Sequence, residues 1–203
     1  KSMSSPYKTF SCFTFGCKVN FADTSMIARQ LVDFGCSQIY DDINADICII
    51  NTCSVTDLAD RKAQKLIKKI NYNSPNAKII VTGCYAQLKP EEISNIEGVD
   101  YVVGADGKLD VDNYLFDDES SSKIKTSIIE HVNDFKSSYS INERTRAFLK
   151  IQDGCSYNCT YCTIPMARGI SRSGTIKETI NSIEKIINED IKEIVLSGIN
   201  IGD

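Results

Sequence analysis

The chain has 203 residues, 42% of them hydrophobic and 25% charged, with a formal net charge of −4. That balance is globular rather than disordered or fibrous. The acidic excess argues against a chain-wide basic surface for nucleic acid and leaves only a local basic face open. No run of eighteen apolar residues occurs, so no membrane-spanning helix is expected.

From Lys8 to about Tyr114, short β-rich runs alternate with helical ones. Lys8–Phe15 is the first expected strand. The stretch near Asp23–Phe34 places Ile27, Leu31 and Phe34 on one helical face and stops at Gly35, a favoured residue beyond a helix end. Ser37–Tyr40 and Asp46–Ile50 read as strands two and three. A helix near Asp57–Asn71 spaces Ala59, Ala63, Leu66, Ile67 and Ile70 at helical period. Its opposite face carries Arg61, Lys62, Lys65, Lys68 and Lys69, a pattern that is ordinarily just solvated. Lys78–Thr82 is the fourth strand, Pro90 opens a helix bearing Ile93 and Ile96, and Tyr101–Val103 is the fifth strand. Such alternation implies an α/β domain over residues 1–116, a five-stranded, doubly wound, flavodoxin-like parallel sheet in the order 2-1-3-4-5. No glycine-rich dinucleotide or phosphate loop follows any strand.

Residues 117–143 have linker composition, including Asp117-Asp118-Glu119 and Ser120-Ser121-Ser122, although the β-branched Thr126–Ile129 suits a strand. A second unit, residues 144–203, begins with an expected strand at Ala147–Gln152. Thr175 and Glu178 then form a capping box, followed by a stripe of Ile176, Ile180, Ile183 and Ile187. Ile191–Leu196 is the next strand. One βαβ unit does not close a barrel, so this domain reads as truncated.

Nine cysteines are the unusual feature, and an odd number does not pair completely. Lys1–Tyr7 lacks the apolar stretch of a signal peptide, and a reducing, cytoplasmic setting is expected, where clustered cysteines serve metals or catalysis. Cys17, Cys53 and Cys84 fall just past the first, third and fourth strands, which the expected order makes neighbours. The outer two of these strands stand about 10 Å apart, a span that thiolates on one multinuclear cluster can bridge. The alternative is that all three are small buried hydrophobes. Cys12 and Cys48 lie mid-strand and Cys36 follows a helix stop, so packing is their expected role.

The second trio, Cys155, Cys159 and Cys162, has C-x3-C-x2-C spacing directly after a strand. A structural zinc site closes with four ligands. No fourth cysteine is near, and the single histidine, His131, lies upstream. Three thiolates on a four-iron cluster leave one iron open. A zinc or purely structural site, and a thiol–disulfide pair of Cys159 and Cys162, remain the alternatives.

The C-x3-C-x2-C signature, with Tyr161 before its last cysteine, resembles that of radical S-adenosylmethionine enzymes. Gly16-Cys17-Lys18-Val19-Asn20, Asn51-Thr52-Cys53, Gly83-Cys84-Tyr85-Ala86-Gln87, the segment Phe148–Cys155 and Ile164–Gly169 narrow the resemblance to the methylthiotransferases. Lys18-Val19-Asn20, Val55-Thr56 and Tyr85-Ala86-Gln87 look most like the threonylcarbamoyladenosine tRNA methylthiotransferases, with the isopentenyladenosine and ribosomal-protein branches next.

The resemblance implies two 4Fe–4S clusters. Cys155, Cys159 and Cys162 would hold the one that binds and cleaves S-adenosyl-L-methionine to a 5′-deoxyadenosyl radical. Cys17, Cys53 and Cys84 would hold an auxiliary cluster that delivers sulfur. The implied product is a 2-methylthio group on the modified adenosine beside the anticodon, which makes the tRNA anticodon stem-loop and an electron donor partners. In this frame Tyr161, Ser197 and Gly198 approach the cofactor, and Arg168 and Arg172, with Arg144, Arg146 and Lys150 nearby, are candidates for RNA phosphate. Asn20 and Asn51 are either donors to cluster sulfurs or turn caps. The second unit becomes the beginning of a radical S-adenosylmethionine partial (β/α) barrel, and the isolated chain is expected to be inactive.

Overall fold

The computed structural model describes residues 7–53, 57–115, 122–141 and 145–202. Val55, Thr56 and Arg144, and most of the acidic and serine run after Leu115, lie outside them.

β1 (Thr9–Thr14) leads into α1 (Lys18–Asp33), and β2 (Ser37–Gln38), β3 (Ile47–Thr52), α2 (Asp57–Asn73), β4 (Lys78–Gly83), α3 (Cys84–Leu88), α4 (Pro90–Ser94), β5 (Val99–Val103) and α5 (Asp112–Leu115) follow. The sheet order is β2-β1-β3-β4-β5, with every pairing parallel, as the alternating pattern implied. One correction applies: the sheet has six strands, because β6 (Ile124–Lys125) adds in parallel to β5. The expected strand at Thr126–Ile129 thus falls two residues earlier, where Ile124 packs against the core beside Val102.

Side chains of β3 alternate between two cores. Ile47 and Ile49 meet Ile27 and Leu31 of α1, while Cys48 and Ile50 meet Ala63, Ile67 and Ile70 of α2. A strand covered on both faces has no polar side, so its sequence reads as an unbroken apolar run. Cys48 and Cys36 are buried here, and burial, with Asp42 nearby, pushes the Cys48 thiol up to about 12.

The second unit is a three-stranded sheet. β7 (Ser138–Tyr139) runs antiparallel to β8 (Ala147–Lys150), and β11 (Ile194–Ser197) pairs with β8 in parallel. Part of the expected linker therefore forms an edge strand. Between β8 and β11 the chain forms β9 (Gln152–Asp153), α6 (Ile164–Arg168), β10 (Arg172–Ser173) and α7 (Ile176–Ile187). Thr175 and Glu178 close the expected capping box on α7. Its core contacts come from Ile183 and Ile186, whereas Ile176, Ile180 and Ile187 are exposed, so the expected stripe is buried only in part. Among the described residues no helix is long and apolar enough to cross a membrane.

The two sheets are joined through α1, which packs on β7 and β8. Asp23, in the interior of α1 and 0% exposed, accepts from Lys150 Nζ of β8 at 2.6 Å, from Ser138 Oγ of β7 at 2.7 Å, and from Lys108 Nζ. Burial opposes its charge, but Lys108 and Lys150 outweigh that and hold the carboxyl at about 2, below its ordinary 3.8. The folded carboxylate thus binds a proton less readily than the unfolded one. Its contribution is complete above about pH 4 and is lost as the pH falls toward 2.

Removing one partner of a buried ion pair costs about 3–5 kcal/mol. Asp23→Asn is expected to lower stability by about that amount in urea unfolding at pH 7, and to flatten the acid limb of the stability curve. At the sheet's carboxyl edge, Thr52 pairs with Gly83, which has φ +97°, and a Cβ there would lie 2.2 Å from the Thr52 carbonyl oxygen. Gly35 has φ +88° but open space around it. Gly35→Ala is expected to cost only the backbone strain, about 1–2 kcal/mol, and Gly83→Ala clearly more by the same urea measurement.

Candidate iron–sulfur and cofactor site

The carboxyl ends of β1, β3 and β4 carry the first cysteine trio. Cys17 caps α1, Cys53 follows β3, and Cys84 opens α3 directly after Gly83. The helix start at Lys18, five residues before the expected one, is what brings Cys17 to a helix end and Asp23 into a helix interior. Gly16 has φ +110°, and a Cβ on it would fall 2.7 Å from Cys53 Cβ and 3.0 Å from its sulfur. The loop carrying Cys17 therefore rests directly against Cys53. Cys53 and Cys84 are buried at this edge and Cys17 is exposed.

Asn20 and Asn51 tie these loops together. Asn20 Nδ2 donates to the carbonyls of Phe15 and Thr52, at 2.8 and 3.1 Å, next to Gly16 and Cys53. Asn51 Nδ2 donates to Asn20 O and Thr24 Oγ1, each at 3.0 Å. Both amides hold backbone turns, which is the second of the two roles the sequence left open.

The second trio sits on the loop between β9 and α6. Cys155 N donates to Gly169 O at 3.0 Å, closing that loop at its base, and Cys162 N donates to Cys159 O at 3.0 Å. Cys159 and Cys162 are exposed, and Tyr161 stands 98% exposed with its ring open to a planar ligand. Ser197 ends β11, buried, with its hydroxyl donating to Val195 O at 3.2 Å. Gly198 follows against Gln152, whose Oε1 accepts from Ile199 N and Asn200 N, each at 2.8 Å. Gln152 Nε2 donates to Gly154 O at 2.7 Å and Ser171 Oγ at 3.0 Å. One glutamine thus binds the Ser197–Asn200 turn to the root of the cysteine loop.

Arg168 and Arg172, expected to meet RNA phosphate, are bonded within the protein. Arg168 is 2% exposed, donating from Nη1 to Asp153 Oδ1 at 2.7 Å and from Nη2 to Asn20 Oδ1. Burial works against its charge, but Asp153, Cys84, Asp23 and Cys17 all favour it, and its pKa stands well above the ordinary guanidinium value. Arg172 donates to the carbonyls of Asp134, Arg168 and Ile170. Arg172 and both terminal nitrogens of Arg168 are thus engaged inside the protein. Arg146 pairs with Glu193 at 3.1 Å, and Lys150 with Asp23.

Reasoning from sequence missed the partners of these cations, Asp23 and Asp153. Asp153 lies far below the usual carboxylate range, because Arg168, Lys108 and Lys150 overcome its burial. The available signal was a lysine in an otherwise apolar strand, Ala147-Phe148-Leu149-Lys150, and an aspartate inside a helix face that packs inward.

None of the nine cysteines forms a disulfide, and among the described residues no three His, Cys, Asp or Glu side chains converge on a single metal ion. In an iron–sulfur cluster each thiolate binds a different iron, so its ligands stand apart rather than converging. Each trio offers soft sulfur donors, with no fourth ligand grouped with them among the described residues, a donor set that fits such a cluster. The missing Cβ of Gly16 is what lets the Cys17 loop lie against the Cys53 thiol.

Residues 9–104 match the model of a family described as uncharacterized protein family UPF0004. Over 96% of its length the chain is 37% identical to the threonylcarbamoyladenosine tRNA methylthiotransferase of Bacillus subtilis, covering 44% of that protein. It is likewise 37% identical to the enzyme of that name from Thermotoga maritima, covering 45%. With the tRNA-2-methylthio-N(6)-dimethylallyladenosine synthase of Protochlamydia amoebophila it shares 31% identity, covering 44%. The chain spans less than half the length of these relatives. Similarity to the two threonylcarbamoyladenosine tRNA methylthiotransferases runs along nearly all of the chain's own length.

Proposed function

We propose that the chain is the part of a tRNA methylthiotransferase that houses both iron–sulfur sites, acting on N6-threonylcarbamoyladenosine beside the anticodon. Cys155, Cys159 and Cys162 would hold the cluster that binds S-adenosylmethionine, and Cys17, Cys53 and Cys84 the auxiliary one. When bound, the two groups supply one-electron reduction of S-adenosylmethionine and the sulfur that enters the base. The substrate choice follows the Bacillus subtilis and Thermotoga maritima relatives, both 37% identical.

One contact supports bringing the two sites to a common space. Arg168 is bonded to Asp153, two residues before Cys155, and lies within the electrostatic reach of Cys84 and Cys17. Radical generation and sulfur delivery must meet at one carbon, and fixing both in place removes much of the entropic barrier. Tyr161 is free to lie on an adenine ring. Gln152 sets the Ser197–Gly198 turn at the edge where the methionine portion of the cofactor would bind. Exposure of Cys159 and Cys162 leaves that side open to an electron donor.

Anaerobic reconstitution with iron and sulfide is expected to load about eight irons per chain, two four-iron clusters. Replacing Cys17, Cys53 and Cys84 together by Ala, or Cys155, Cys159 and Cys162 together, is expected to leave about four in each case. Uptake of zinc without iron contradicts the proposal. A single βαβ unit does not enclose a cofactor, so the 203 residues alone are expected to leave tRNA unmodified. Methylthiolation by the purified chain overturns that expectation.

A further inference from the structure

The guanidinium of Arg168 is only partly accounted for by the bonds it makes. Nη1 is held by Asp153 and Nη2 by Asn20, but Nε is buried with no hydrogen-bond partner among the described residues. Leaving a buried donor unsatisfied costs about 1–3 kcal/mol, more for a charged group, so an N–H kept in this state points to a ligand.

The local charge balance points the same way. Lys108, Lys150, Arg168 and Arg172 surround Asp23 and Asp153, four cations around two carboxylates. Buried charge without a counter-charge is costly, and an anionic group beside this cluster would balance it. Cys17 lies three residues before Asn20, which receives Nη2, and Cys84 opens the helix that packs on α6, so a cluster held there would lie on this side of Arg168.

The guanidinium is also part of the frame that places all three thiols. Asn20, which receives Nη2, grips the backbone beside Cys17 and Cys53 through its other end. α3, opening at Cys84, packs on α6, which ends at Arg168.

Building on the two-cluster reading above, we propose that Arg168 is a positioning residue for the auxiliary cluster on Cys17, Cys53 and Cys84. Clamped by Asp153 and Asn20, it presents its remaining N–H and its positive charge to that cluster and sets its reduction potential. A cluster held by thiolates is anionic and gains negative charge on reduction. A fixed cation beside it favours the reduced form, and net charge and hydrogen bonds to sulfur are the levers by which proteins tune such potentials.

The test uses the full 203-residue chain with Cys155→Ala, Cys159→Ala and Cys162→Ala, so that only the auxiliary cluster can form after anaerobic reconstitution. Its midpoint potential is read by redox titration followed by electron paramagnetic resonance, with Arg168 intact, with Arg168→Gln and with Arg168→Lys. Arg168→Gln is expected to shift the potential to more negative values. Arg168→Lys keeps a cation for Asp153 but loses the planar fork, and is expected to shift it the same way by less. A potential equal to that of the Arg168 chain in both variants, or in the lysine variant alone should the glutamine variant not fold, overturns the inference and leaves the two-cluster reading standing. Failure of the Arg168 chain to take up iron overturns that reading, and the inference with it.

Discussion

The arrangement depends on a line of buried charges that runs from one sheet to the other: Lys108, Asp23, Lys150, Asp153, Arg168 and, at its end, Asn20. Ion pairs out of water are not cheap, and apolar residues of similar volume often give equal or greater stability. What they give instead is position. An apolar contact tolerates sliding, whereas Asp23 accepts three hydrogen bonds only when α1, β7 and β8 stand in one relation. With the second sheet's core resting on Ala147, Leu149, Ile186 and a few half-buried neighbours, these polar bonds carry a large share of the docking.

The same line leads into the chemistry. Through Asp23 and Asn20 it meets the helix that Cys17 caps, and between them it passes through Asp153 and Arg168, which bracket the loop of Cys155, Cys159 and Cys162. The thiols themselves are placed by loops, and those loops are tied by small polar devices: Asn20 and Asn51 across the first trio, Gln152 beneath the second. Rigid strands fix where the loops begin, and side-chain amides fix how they lie. This division is plainest at the second trio, where Cys159 and Cys162 are exposed and Gln152 beneath them is buried.

Much of the sheet was readable because each of its major strands is a short apolar run between amphipathic helices, a pattern with one economical topology. The strand order and the capping box on α7 follow from that local code. β6 and β7 were harder, since two-residue edge strands in polar surroundings carry almost no periodic signal. The start of α1 was misplaced because Lys18–Ala22 contains no apolar stripe distinct from its flanks. The cysteine trios were legible as spacing and as position at strand ends. The arginines were not: a basic residue near a reactive loop reads as a phosphate contact until its carboxylate partner is found. Here the partners are 15 residues away for Arg168 and 127 for Lys150.

The central claim is that both thiol trios serve one shared space. Electron paramagnetic resonance of the chemically reduced, fully reconstituted chain tests it directly, because two paramagnetic clusters that face one cavity broaden and split each other's signals. The spectrum of the intact chain is expected to differ from the sum of the spectra of the two triple-alanine variants, each bearing one cluster. A spectrum that equals this sum, with iron at the two-cluster level, would mean that the trios are independent centres.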